Sequence, residues 1–246
     1  VTFRVTGVVP TYDNPATIRA VVMRLLEHVD HVVVVDDGSG AEGRAACAEL
    51  SAEGLAHVVH HEVNGGKGAA VKTGLRAAKD LGFTHALQVD ADGQHDIDDV
   101  PRFLEAAREN PRALILGDPR YDDSAPSARR IGRKITAFWI AVECGRGVIS
   151  DGMIGFRVYP VDAALAVPVG GDAMDFDLEI AVRLVWAGLP VINIPTKVRY
   201  LDEDEGGISH FRAFRDNVLI SWLHFRLSVR RVFALVFRVH PKRLPE

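Results

Sequence analysis

Residues 85–95 read HALQVDADGQH. An apolar run over 86–89 leads into Asp90, Asp92 and Gln94, the pattern of a buried strand that delivers two carboxylates and an amide at its C-terminal end. Alternate positions on a strand point to opposite faces, but Gly93 turns the chain there, so oxygens from several residues can converge. Converging hard oxygen ligands suit Mg²⁺ or Mn²⁺ better than zinc. Taken alone, the same residues also read as an acidic strand-to-helix loop in which Asp92 or Asp96 caps the next helix. The rest of the chain decides between the two.

Upstream, residues 5–10 read as a first buried strand, closed by Pro10 and the turn at Asn14-Pro15, with Thr11, Tyr12 and Asp13 at its C-terminal edge. A helix over 16–29 follows. Residues 31–35 are almost all valine, as in a strand covered on both faces of a parallel sheet, and stop at Asp36-Asp37-Gly38-Ser39. A helix over 42–52 and a short strand over 56–60 lead to Asn64-Gly65-Gly66-Lys67-Gly68, which opens a helix reaching residue 81. Downstream, the pattern predicts a helix over 98–108, a strand over 113–116 ending at Gly117, and a basic helix over 127–142. Strands over 154–159 and 191–198 then flank a helix over 176–187. This alternation predicts an α/β fold with a doubly wound, mostly parallel sheet flanked by helices. Ligands bind such sheets outside the carboxyl ends of the strands, where every polar cluster named so far lies.

The 246 residues, 48% of them hydrophobic, suffice for one sizeable domain, read as residues 1–205, with a basic appendage over 206–246. No signal-peptide pattern opens the chain and no long uncharged apolar run occurs, so the expected location is cytoplasmic. Cys47 and Cys144 are far apart without C-x-x-C spacing and read as packing residues. The net charge of −4 divides unevenly: residues 206–246 carry eight Lys or Arg against Asp216 and Glu246, net +6, which leaves −10 for the body. From Phe211 onward apolar residues recur at helical spacing with the arginines largely off that stripe, predicting an amphipathic helix in one or two pieces. Such a helix either packs back on the body or lies on an anionic membrane face with Trp222, Phe225 and Phe233 inserted. The acidic body and the absence of any recognised motif argue against nucleic acid as a partner.

Two common nucleotide sites are excluded. The first strand is followed by PTYDN rather than G-x-G-x-x-G, and residues 64–68 lack P-loop spacing. Nor does the D-x-D loop carry the offsets of an EF-hand. Instead PTYDN, VDDGS, NGGKGAA and DADGQ, in that order over about the first hundred residues, resemble family 2 glycosyltransferases of the GT-A fold. The closest likeness is to the polyprenyl-phosphate sugar transferases, the dolichol-phosphate mannosyltransferase-like branch, in a short bacterial form without membrane spans. GDPR (117–120), DGMIGFR (151–157), a helix carrying Glu179, and GISHF (207–211) fit as well.

The resemblance implies an inverting hexosyl transfer from a GDP- or UDP-linked sugar to a lipid-phosphate or lipid-like acceptor, with the protein peripheral on the inner face of the cell membrane. Pro10, Tyr12, Asp13, Asp36 and Asp37 would line the donor pocket, and Lys67 would approach the base or diphosphate. Asp92 and Gln94 would hold the metal, with Asp90 assisting. An anionic lipid phosphate needs cationic positioning, for which Arg120, Arg130 and Arg133 are candidates, with Ser209 and His210 nearby in the motif sequence. A hydroxyl acceptor needs a base, with Asp151 first and Asp177 or Glu179 behind it. The chain departs from the family in having Asp13-Asn14 for the usual Asn-Glu, and GDPR for the commoner GSR. A sugar-phosphate nucleotidyltransferase or a non-catalytic nucleotide-sugar-binding scaffold are the competing readings. Neither the sugar, the donor base nor the oligomeric state is written in a motif.

Overall fold

The structure, a computed structural model, describes residues 2–121, 127–198, 213–238 and 243–244. The chain runs β1 (Val5–Thr11), α1 (Ile18–Leu26), β2 (Val32–Asp36), α2 (Ala41–Ala52), β3 (His57–His60), α3 (Lys67–Asp80) and β4 (His85–Gln88). A 3₁₀ turn at Ile97–Asp99 leads into α4 (Val100–Glu109), followed by β5 (Leu114–Tyr121), α5 (Ser127–Cys144), β6 (Arg157–Pro160), α6 (Val161–Ala166), α7 (Phe176–Trp186), β7 (Val191–Val198) and α8 (Ala213–Val236). The sheet has the order β3-β2-β1-β4-β6-β5-β7 and is parallel except for β6, which runs against both neighbours. The expected GT-A-type α/β sheet is therefore present, with β4 at its centre.

Strand alternation divides the core into two layers. Val8, Val33 and Val35 face α3, α7 and α8 through Leu75, Leu178 and Leu223. Val9, Val32 and Val34 face the other way, onto Ile18, Leu50 and Phe103 of α1, α2 and α4. Both faces of β2 are covered, which is why its residues are uniformly valine.

The reversal of β6 matters for the site. Because Gln88 pairs with Arg157 in antiparallel register, the loop entering β6, not the one leaving it, arrives at the C-terminal end of β4. Two expectations need correction here. Gly117 does not end the fifth strand: β5 continues to Tyr121, paired throughout with β7. A Cβ at Gly117 would stand 2.6 Å from Ile154 Cδ1, so this glycine marks a close approach inside a strand. The sixth strand begins at Arg157 rather than 154, because Asp151 and Arg157 hold residues 151–156 in a loop.

The predicted C-terminal helix is one piece. One face of α8, with Ile220, Leu223 and Leu227, is buried in the same core layer as the sheet. The opposite face leaves Trp222, Phe225 and Phe233 more than half exposed. Among the described residues no helix is long and apolar enough to cross a membrane. Cys47 and Cys144 are free thiols; burial pushes both up to about 12, as befits side chains that only pack.

Candidate active site

Three carboxylates and an ammonium meet where β4 ends. Lys67, the first residue of α3, donates Nζ to Asp90 Oδ2 at 2.8 Å and lies 2.8 Å from Asp177 Oδ2 at the start of α7. Asp177 Oδ1 accepts from Gln88 Nε2 at 3.1 Å, and Tyr159 Oη–H donates to Gln88 Oε1 at 2.9 Å. Beneath them Arg157, fully buried, donates to the carbonyls of Ile154 and Asp177 and stands 3.8 Å from the Asp177 carboxylate. Burial alone would discharge Lys67, but Asp177 and Asp90 raise it above the usual lysine value and keep it cationic. Asp90 is likewise held well below the carboxylate range: burial opposes this, and Lys67 and His95, 3.7 Å away, overcome it.

Asp92 differs. Burial, and then the charge of Asp90, push its carboxyl up. Its Oδ1 accepts from the Gln94 backbone N–H at 3.0 Å, which shapes the turn at Gly93. Gly155, in the loop entering β6, packs directly on Asp90: a Cβ there would lie 2.1 Å from Oδ2. Only glycine fits at that approach.

The donor-side residues form a second cluster on the same edge. Asp36 is fully buried; its Oδ1 accepts from Ser39 N–H at 3.0 Å and its Oδ2 lies 2.8 Å from His60 Nδ1. Those hydrogen bonds outweigh burial and hold Asp36 ionised below its ordinary range. Asp37 organises the glycine loop, accepting from Gly65 N–H (3.0 Å), Gly66 N–H (2.7 Å) and His61 Nδ1 (2.7 Å), while His61 Nε2 reaches Thr73 Oγ1 at 3.0 Å. Gly66 has φ +99°, and a Cβ there would meet Asp172 O at 2.3 Å. Asp13, at φ 50°, clasps the first loop to the second, its Oδ1 accepting from Gly40 N–H at 2.8 Å and its own N–H donating to Ser39 Oγ at 2.9 Å. Asn14 is buried behind it, and Pro10 sits in β1 opposite Val35, with half-buried Tyr12 just beyond the strand.

On the acceptor side, Asp151 Oδ1 accepts from Met153 and Ile154 N–H, and its Oδ2 lies 2.8 Å from Arg133 Nη1. Asp151 thus serves as a turn residue and ties α5 to the loop that bears on Asp90. Arg120, largely exposed, pairs with Asp118 at 2.7 Å. Glu179 is saturated with donors from Gly170, Gly171 and Arg183, a structural set that leaves it poorly placed to take a proton. Arg130 lies in α5 with its side chain outside the described residues, and Ser209 and His210 lie outside them altogether.

Among the described residues no group of three or more His, Cys, Asp or Glu could by itself hold a metal. Mg²⁺-type sites commonly use one or two carboxylates and take their remaining ligands from substrate phosphates and water. Asp90 and Asp92 meet that description: Asp90 stays ionised at the end of β4 with its Oδ1 2.8 Å from Lys67 Nζ, and burial, followed by the charge of Asp90, raises Asp92. A divalent ion would offset the repulsion between the two carboxylates, so the residues fit.

Sequence reasoning did not single out Gln88, Tyr159, Arg157, Gly155, His60 or His61. One signal was available: a lone arginine in the apolar run IGFRVY, which in a buried strand requires carbonyl and carboxylate partners.

The profile of glycosyl transferase family 2 matches residues 6–163. The undecaprenyl-phosphate mannosyltransferase of Micrococcus luteus is 26% identical over 204 residues, 78% of this chain and 82% of that protein. The UDP-N-acetylglucosamine–dolichyl-phosphate N-acetylglucosaminyltransferase of Methanococcus voltae is 28% identical over 63% of this chain and 69% of its own length. Among solved structures, the fold is similar to glucosyl-3-phosphoglycerate synthase of Mycobacterium tuberculosis, solved with Mn²⁺ and UDP-glucose (TM-score 0.67, 16% identity, 93% of this chain and 79% of that one).

Proposed function

We propose, for a chain that belongs to glycosyl transferase family 2 and is a glycosyltransferase, that it moves a hexose with inversion from a GDP- or UDP-linked sugar to a lipid-phosphate or lipid-like acceptor at the cytoplasmic membrane face. The observation that carries this is the meeting of Asp90, Asp92 and Lys67 at the end of β4, beside the Asp36–Asp37 cluster on the same sheet edge. The relatives named for polyprenyl and dolichyl phosphates support the acceptor class. The Mn²⁺ and UDP-glucose bound by the similar fold support the donor class.

Residues 1–205 carry the transfer and 206–246 the membrane contact. In this reading Pro10, Tyr12 and Asp13 frame the nucleoside, while Asp36 and Asp37 act through the loops they hold. Asp90, Asp92 and Gln94 hold Mg²⁺ or Mn²⁺, which when bound offsets charge on the departing nucleoside diphosphate. Lys67 keeps Asp90 ionised and bridges it to Asp177, which ties α3 and α7 to the carboxylate edge. Arg120, Arg130 and Arg133 orient an anionic acceptor, with Ser209 and His210 contributing from the neighbouring segment. A phosphate nucleophile is already ionised and needs alignment rather than a base. For a hydroxyl acceptor Asp151 would take the proton, once freed from Arg133. The exposed Trp222, Phe225 and Phe233 of α8, flanked by Arg215, Arg226 and Arg230, form an interfacial face.

A thermal-shift panel tests the donor: GDP, UDP, CDP and the hexose conjugates of GDP and UDP, each with and without Mn²⁺. A metal-dependent shift with one nucleotide is expected; no shift with any on folded protein would refute the reading. For the membrane contact, the triple variant Trp222→Ser, Phe225→Ser, Phe233→Ser should lose flotation with anionic liposomes while keeping its nucleotide response.

A further inference from the structure

The ammonium of Lys67 has three N–H donors, and three carboxylate oxygens lie 2.8 Å from it: both oxygens of Asp90 and Oδ2 of Asp177. All of its hydrogen-bonding capacity is turned on these two side chains. It sits astride both oxygens of the Asp90 carboxylate, as a chelated cation does. The other approaches to Asp90 are narrow. His95 Nε2 stands 3.7 Å from Oδ2, and a Cβ on Gly155 would lie 2.1 and 2.2 Å from the two oxygens. Any divalent ion that uses Asp90 must share those oxygens with the ammonium, and like charges at so short a spacing repel strongly where water is scarce.

The two carboxylates that share the ammonium are built differently. Asp177 is 2% exposed and fixed by its neighbours: Oδ1 accepts from Gln88 Nε2 at 3.1 Å, Gln88 Oε1 accepts from Tyr159 Oη–H, and Arg157 Nη1 donates to the Asp177 carbonyl at 2.8 Å. Asp90 lies just before the turn at Gly93, and its side chain is 22% exposed. Lys67 reaches both from the first residue of α3, on a flexible four-carbon stem. It can leave Asp90 and stay paired with Asp177, so yielding costs it one partner rather than both.

We propose that Lys67 is a built-in competitor for the divalent cation at Asp90, and that Asp177 is the positioning residue that keeps the ammonium when it yields. This rests on Asp90 and Asp92 holding the ion, as proposed above, and adds the pair of residues that sets how tightly the ion is held. The consequence is a lowered affinity for the ion alone.

Mn²⁺ binding to the full chain without nucleotide, followed by electron paramagnetic resonance of the free ion, tests this, with each variant's fold checked by circular dichroism. Lys67→Met should bind Mn²⁺ about tenfold more tightly than the wild type. Asp177→Asn leaves Asp90 as the sole carboxylate for the ammonium and should bind about tenfold more weakly. A lysine that only supports the fold would weaken binding on its removal, or leave it unchanged, and either result overturns the proposal. The double variant Lys67→Met, Asp177→Asn removes one charge of each sign and carries the test if Lys67→Met alone does not fold. It should also bind more tightly than the wild type; weaker binding would make Asp177 a ligand and overturn the proposal. Tight binding that survives Asp92→Asn in the Lys67→Met background would place the ion on an Asp90–Asp177 site created by the substitution, which overturns it too. No Mn²⁺ binding by the wild type or any variant, even with the nucleotides of the thermal-shift panel, would refute the metal role itself. Binding without opposite responses of the two single variants would refute only the competition.

Discussion

Two aspartates separated by a single residue on one short turn have opposite electrostatic fates. Asp90 has Lys67 and His95 against it and stays ionised; Asp92 has burial and Asp90, and is raised. A group whose folded value is raised binds its proton more tightly in the folded state. It therefore subtracts stability as pH climbs from the ordinary aspartate range through that raised value, and nothing below that window. Asp92→Asn keeps the acceptor for Gln94 N–H and removes the charge. It should raise the melting temperature of the metal-free protein at neutral pH, with the gain vanishing as pH falls through the window, while the Mn²⁺-dependent shift and transfer are lost. Calorimetry at stepped pH checks the first part, and full retained transfer would sink the metal role. Lys67→Met removes the cation shared by Asp90 and Asp177 and leaves them only the more distant His95 and Arg157, at 3.7 and 3.8 Å. Breaking a buried pair in this way costs about 3–5 kcal/mol, readable as a fall in the urea midpoint.

Elements place these residues, and glycines let the elements approach. The first turn of α3 reaches the loop before α7 closely enough for Ala69 N–H to donate to Asp172 O at 3.1 Å. Gly66→Ala combines a left-handed φ with a Cβ 2.3 Å from a carbonyl, so a loss of at least about 1–3 kcal/mol is expected in equilibrium unfolding, with weakened nucleotide response. The glycine-rich signature was legible in the sequence; that it serves packing of two loops, pinned by Asp37, was not. The motif showed where backbone had to come close, while its partner lies more than a hundred residues away. The same holds for β6, whose strand character was legible but whose direction depends on how the chain returns to the sheet.

At the scale of the whole molecule, α8 is apolar on two sides. Leu223 is buried in the main core layer and neighbouring Trp222 is 56% exposed. Leu223→Ala should cost about 2–5 kcal/mol, whereas Trp222→Ala should stay within roughly 0.5 kcal/mol while weakening liposome flotation. Equal effects on stability would mean that α8 does not hold the described packing in solution. The stripe at residues 211–236 was visible as a periodicity, and its two competing readings, packing on the body or lying on a membrane, are both available to a helix with two apolar faces.

By itself the sequence determined the strand and helix alternation, the sheet edge that carries the polar clusters, and the identity of its main carboxylates. Those follow from local periodicity and from residues that end strands, which are properties of neighbours in the chain. Tertiary structure decided which charges meet. Lys67 was expected at the donor and is found between Asp90 and Asp177, Asp151 is tied to Arg133, and Glu179 is saturated by backbone donors. It also decided that β6 runs backwards, bringing Gly155 onto Asp90, and that His224 of α8 meets Glu143 of α5. Burial and pairing depend on segments far apart in sequence, and no local pattern carries that distance.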